Sequence, residues 1–270
     1  MKLRVLGSFE VTTEGRRHSP SGPKLRQVLA LLSMRSGQVV SRDSLIEELW
    51  GSHPPKTATT TLQTYIYHLR KWLQQFAEIS HRDSLLQTRA PGYVLALPKE
   101  NVDASAFLAK LHQGRAQIGR GEAADAAVTL RSALDLWSGP VLADVTCGSL
   151  LHVHVTHLEE KRIAALEQLV SAEMQLGRHR ELIAELRSLV ITHPLNESFH
   201  AQLIIALNRS RRRGEALQAY HGLRSTLQDE LGLDPSNELQ RLHLAVLNSD
   251  DDTFARPEPA AVANPRLPYP

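Results

Sequence analysis

A single cysteine, Cys147, stands in 270 residues. An intramolecular disulfide is therefore excluded, and such usage fits a reducing compartment. No apolar run approaches the roughly 20 residues needed to span a bilayer. The N-terminal MKLRVLGSFEV alternates like a strand and lacks the apolar stretch and small-residue cleavage site of a secretory signal. A cytoplasmic protein is expected. Catalytic signatures are missing as well. There is no GxSxG elbow and no HExxH, and Gly22-Pro23-Lys24 lacks the upstream glycine of a GxxxxGK[ST] loop. Thirteen histidines include the close set His152, His154 and His157, but no cysteine or carboxylate pattern completes a tetrahedral site around them. No enzyme, cofactor or metal site is expected, and Cys147 reads as a small loop or core residue.

What is present is ordinary in bulk and uneven along the chain. Hydrophobic content of 42% and charged content of 22% suit a globular protein, and the length allows two domains. Residues 1–97 carry 13 Lys/Arg against 7 Asp/Glu, whereas residues 98–250 carry 16 against 19. A basic front on a mildly acidic back points to a polyanion as partner of the first part.

The first segment alternates through Leu3, Val5, Phe9 and Val11, with Gly7 permitting a bulge and Glu14-Gly15 a turn, which predicts a small antiparallel sheet. Leu25, Val28, Leu29 and Leu32 recur at helical spacing up to Gly37. Ser41 can cap a second helix carrying Leu45, Ile46, Leu49 and Trp50, stopped by Gly51. After His53-Pro54-Pro55 a third helix starts near Thr57. Its Leu62, Ile66, Leu69 and Leu73 form one apolar stripe. Thr61, Thr64, His68 and Lys71 are read on the opposite stripe, with Tyr67 and Arg70 on a flank. Leu86, Thr88 and Arg89 then lead through Ala90-Pro91-Gly92 to Tyr93, Leu95 and Leu97, a hairpin. A sheet, three helices and a hairpin make a winged helix over residues 1–98.

From 99 to 249 only helices are predicted, marked first by Phe107 and Leu111 and then by Ala127, Leu130, Leu134 and Trp137. Further helices follow over 150–176, 178–191, 197–209, 214–231 and 236–248. LGRHRELIAEL and SRRRGEALQAY align at a 34-residue offset, placing Arg178 over Arg212 and Glu181 over Glu215. That is the period of tetratricopeptide helix pairs. The run Arg211-Arg212-Arg213 reads as the end of a helix. Residues 250–270, rich in Pro and Ala, read as a disordered tail.

GPKLRQVLALL, VSRDSLIEELWG, TLQTYIYHLRKWL and APGYVL resemble the OmpR-type DNA-binding domain of the Streptomyces antibiotic regulatory proteins. LRSALDLWSGPVLADV, LGRHRELIAELRSLVITHPLNESFHAQLIIALNRSRRRGEALQAY and ELGLDPSNELQRL resemble that family's bacterial transcriptional activation domain. The resemblance covers about residues 1–248. It implies an activator of a secondary-metabolite, usually antibiotic, gene cluster. Such a protein binds direct repeats close to the −35 element as tandem protomers and recruits RNA polymerase holoenzyme, with double-stranded DNA and a second copy as further partners. The third helix would enter the major groove, putting Thr61, Thr64, His68 and Arg70 at base- and phosphate-contacting positions. Relatives commonly carry Ser-Arg where Tyr67-His68 stands, so a charge-assisted contact is missing here, and the resemblance implies the binding mode without the detailed operator sequence.

Bland readings stand beside these. A stripe of Thr, His and Lys suits any solvated helix face; the wing and the two preceding helices tip it toward DNA. Arg70 either contacts DNA or pairs inside the domain, and Arg89 either reaches the backbone or a minor groove or is an ordinary strand residue. Lys24, Arg26 and Lys56, near helix starts, either hold phosphates or are plain surface charge. A different class of function also fits: a helical-repeat adaptor whose winged helix mediates protein contacts.

Overall fold

The computed structural model describes residues 1–76 and 85–248, so the expected tail over 250–270 lies outside the described residues. The chain divides into two compact units, 1–169 and 170–270.

The first unit opens with β1 (Lys2–Arg4), β2 (Glu10–Thr13) and β3 (Arg16–His18), an antiparallel meander in that order. Leu3 pairs with Val11, and Val11 in turn with His18. Three helices follow: α1 (Pro23–Met34), α2 (Arg42–Trp50) and α3 (Ala58–Gln74). Helix α1 starts with proline at its first position, where a missing N–H costs nothing. The Ser41 hydroxyl caps α2 by accepting from the Ser44 N–H at 3.0 Å. The apolar faces of all three meet in one core of Val28, Leu29, Leu32, Leu45, Leu49, Leu62, Ile66, Leu69 and Leu73. The wing is β5 (Leu86–Arg89) and β6 (Gly92–Leu95).

One strand escaped the sequence pattern. Val40–Ser41 forms β4 and pairs with β6, giving a sheet of order β4-β6-β5. Its two residues are too short to show alternation. Because β6 is central, all four of its residues are buried, rather than one in two. Gly92 is needed there: a Cβ on it would lie 1.8 Å from the Val40 carbonyl oxygen.

Helices α4 (Asp103–Gly119) and α5 (Ala123–Leu134) complete the unit with the start of α6 (Ser149–Gln175). Trp137, expected on a helix, lies three residues beyond α5 and packs edge-on against Phe107 at 5.2 Å. The change from mixed structure to helices near residue 98 does not mark a gap in packing. Leu3 bridges to Val102. The Asp103 carboxylate accepts from the Val5 N–H at 2.9 Å, and Asp144 accepts from the Phe9 N–H at 2.6 Å and from Arg26 at 2.9 Å.

The second unit holds the end of α6, then α7 (His179–Thr192), α8 (Glu197–Arg209), α9 (Arg213–Leu231) and α10 (Asn237–Asn248), with α7 packed on α8, α8 on α9 and α9 on α10. Here the arginine run does not simply end a helix: Arg211 sits in the turn and Arg213 opens α9. The 34-residue repeat has a backbone counterpart. Gly177 and Arg211, 34 apart, both adopt left-handed φ, 77° and 62°. Each is followed by an N–H that reaches five residues back, Arg178 to Glu173 at 3.2 Å and Arg212 to Leu207 at 2.9 Å. The turn between α4 and α5 repeats this arrangement, with Gly121 at φ 78° and the Glu122 N–H bonded to Gln117 at 3.0 Å. This is a helix-ending turn of the Schellman type, used three times among the described residues.

Candidate nucleic-acid interface

Helix α3 is sharply two-sided. Leu62, Ile66, Leu69 and Leu73 are buried, while Thr60, Gln63, Thr64, Tyr67, His68, Lys71 and Gln74 are exposed. The exposed set recurs at three- and four-residue spacing, so it forms one continuous stripe. Its functional groups are donors, acceptors and a cation, on a rigid rod set by the core beneath.

Of the eight residues expected to meet DNA, three lie on that stripe or its ends without qualification: Thr64, His68 and Lys71 are exposed on α3. The Thr64 hydroxyl donates to the Thr60 carbonyl at 3.0 Å, so it presents its methyl and its lone pairs outward. Lys56 is exposed just ahead of α3, and Arg89 is exposed at the end of β5, at the wing tip. Both are basic groups flanking the stripe.

The other three are placed differently. Thr61 is half-buried. It shares its flank with Tyr65, whose ring stacks on Trp50 at 6.5 Å. Arg70 is turned to the wing: its Nε donates to the Leu86 carbonyl at 2.8 Å and a terminal nitrogen to the Thr88 hydroxyl at 2.7 Å. Lys24 reaches the C-terminal end of α2, donating to the Leu49 carbonyl at 2.5 Å and to Gln27 at 3.2 Å. An ammonium there complements the partial negative charge of the helix end.

Two exposed residues of α3 that the sequence reading left off the face are Gln63 and Tyr67. Tyr67 is 62% exposed and meets His68 edge-on at 5.5 Å. Gln63 is exposed, and its carboxamide makes no hydrogen bond among the described residues. No group of three or more His, Cys, Asp or Glu among the described residues is placed to hold a metal ion. No helix among them is long and apolar enough to cross a membrane.

Glu48 of α2, the helix before α3, is only 2% exposed. Its carboxylate accepts from Gln27 at 3.0 Å, from the Gly148 N–H at 2.5 Å, and from the Leu150 and Leu151 N–H groups at 3.0 Å each. These are the otherwise unpaired donors at the start of α6, so a side chain of α2 caps a helix about 100 residues away.

Two family models match the chain. The transcriptional regulatory protein C-terminal model covers residues 18–95, and the bacterial transcriptional activator domain model covers residues 102–247. Regulatory protein DnrI of Streptomyces peucetius is 40% identical over 93% of this chain and 93% of its own length. Transcriptional regulator RedD of Streptomyces coelicolor is 34% identical over 93% of this chain and 71% of its own. Among solved structures, Mycobacterium tuberculosis EmbR in complex with a low affinity phosphopeptide superposes with a TM-score of 0.86 at 33% identity, over 92% of this chain and 65% of that one. An OmpR-type winged helix joined to a bacterial transcriptional activator domain places the chain in the Streptomyces antibiotic regulatory protein family of transcriptional regulators.

Proposed function

We propose that this regulator is a sequence-specific activator of a secondary-metabolite gene cluster, binding direct repeats close to the −35 element as tandem protomers. The observation that carries the reading is the exposed stripe of α3, flanked by Lys56 and Arg89 and backed by an apolar core. An α-helix fits the major groove, where base edges present a distinct donor and acceptor pattern. Lys71, Lys56 and Arg89 set the register by contacting phosphates, while Thr64 and His68 face the bases. Arg70 acts through the wing and Lys24 through α2, as positioning residues. The helical part contacts RNA polymerase holoenzyme. The protein works in the cytoplasm, on the nucleoid when bound, and catalyses no reaction of its own.

Protomers on the same side of the duplex require half-sites about 10–10.5 bp apart or a multiple of that. Selection of genomic fragments by the purified protein, followed by footprinting, tests this. Protected direct repeats one turn apart upstream of a biosynthetic operon are expected, with affinity falling steeply as salt rises. Weak binding indifferent to sequence would instead favour the adaptor reading.

A further inference from the structure

We infer that Gln63 and Tyr67 determine operator specificity: Gln63 reads an adenine through paired hydrogen bonds in the major groove, and Tyr67 packs on the methyl of a nearby thymine. This rests on the reading of α3 as the helix that enters the groove.

Chemistry and placement both support the assignment. A carboxamide offers one donor and one acceptor side by side, the pattern that matches adenine N6 and N7 and no other base in the major groove. Gln63 is exposed and its carboxamide is unengaged among the described residues, so nothing within the domain competes for it. Thr64, its neighbour, has already given its hydroxyl proton to Thr60, and so offers no donor to a base. Tyr67 is the only aromatic among the described large apolar side chains that stand exposed, at 62%. It is one helical turn along from Gln63. Four residues advance about 6 Å along a helix. That is close to two base-pair steps at about 3.4 Å each. The thymine methyl is the one apolar group on the major-groove edges, and an aromatic ring beside it excludes water from both. His68 holds the Tyr67 ring edge-on at 5.5 Å, which limits its swing.

The test is selection from a random duplex library with the full chain, comparing wild type with Gln63→Ala, Tyr67→Ala, Tyr67→Phe and Lys71→Ala. Substitutions at exposed positions leave the fold intact, which matched thermal midpoints would verify. The wild-type motif should contain an adenine and a thymine about two steps apart. Gln63→Ala should flatten the adenine column alone, with about tenfold weaker binding to the best duplex. Wild type should also weaken when 7-deazaadenine replaces that adenine, while Gln63→Ala should be indifferent to the change. Deoxyuridine in place of thymine should weaken wild type and Tyr67→Phe but not Tyr67→Ala. Lys71→Ala should weaken every sequence equally. A wild-type motif that Gln63→Ala and Tyr67→Ala both leave unaltered would overturn this inference while sparing the activator reading. Recovery of no motif by wild type would overturn both.

Discussion

The Glu48 carboxylate accepts the Gly148 N–H at 2.5 Å, across 100 residues of sequence. The approach is so close that a Cβ at Gly148 would lie 2.2 Å from the Glu48 carbonyl oxygen. Glu48→Ala leaves the Gly148, Leu150 and Leu151 N–H groups without their acceptor, while the Gln27 amide keeps only the Glu48 backbone carbonyl, 2.7 Å away. Leaving a buried donor unsatisfied costs about 1–3 kcal/mol, and urea denaturation should show a loss of at least that order. Glu48→Gln keeps the shape but replaces one acceptor oxygen with a donor, so it should lose less. A Glu48→Ala variant as stable as wild type would mean that water substitutes for the carboxylate.

Arg70 should matter for DNA without touching a base. Strand β5 is an edge, paired only to β6, and Arg70 is the side chain that ties its Leu86 carbonyl and Thr88 hydroxyl back to α3. Arg70→Ala should speed amide exchange in β5 and β6 and weaken DNA binding uniformly across operator variants, whereas a base contact would cost ~1–3 kcal/mol and relax specificity at one position. Arg70→Lys should not restore either, because an ammonium cannot reproduce the planar fork. Loss of preference at a single base column, with exchange in the wing unaltered, would show instead that Arg70 reads DNA directly.

Stability should fall on mild acidification. Burial depresses His200 below the ordinary 6.5, outweighing the Pro194 carbonyl 3.1 Å from its Nε2 and the charge of Glu197. His154 is lowered by burial, then by Arg35 and His157, and His179 by burial, then by Arg209. Between each lowered value and 6.5 the unfolded chain binds more protons than the folded one, so stability rises with pH there. The contribution is therefore complete above 6.5 and is lost as pH falls through the folded-state values. Thermal midpoints measured from pH 7.5 downward should decline, and His200→Gln should flatten part of the slope. A variant with the wild-type slope would remove His200 from the account. Asp103, raised by burial, works in the opposite sense and stays constant in that comparison.

Local periodicity carried most of the fold. The core stripe of α3 was legible because four leucine and isoleucine positions repeat at helical spacing, and the helices from α4 to α10 follow the same signal. The face of α3 was harder. Thr61 and Gln63 each lie roughly 90° from the apolar axis, on opposite flanks, so the pattern alone cannot say which flank is covered. Trp50, stacked on Tyr65, decides it by closing the Thr61 side. Glu48 was illegible for a related reason. It neighbours Glu47 and looks the same in sequence, but its partners start at Gly148, and only the folded chain brings them together. The third copy of the helix-ending turn was missed because Gly121 lies 56 residues before Gly177, outside the 34-residue offset.

That repeated turn makes a stabilising substitution predictable. Gly121 and Gly177 hold the left-handed position in two copies, and Arg211 holds it in the third at φ 62°. A side chain there crowds the following carbonyl, at a cost of roughly 1–2 kcal/mol that glycine avoids. Glycine gives back part of the gain by widening the unfolded ensemble. Arg211→Gly should therefore raise the unfolding free energy by about 0.5–1 kcal/mol, read as a higher urea midpoint with an unchanged slope. Gly177→Ala should do the reverse at the matching position, where open space around the Cβ leaves backbone strain as the cause. If both variants matched wild type, the left-handed turn would be too weakly held to set the spacing of the helix pairs.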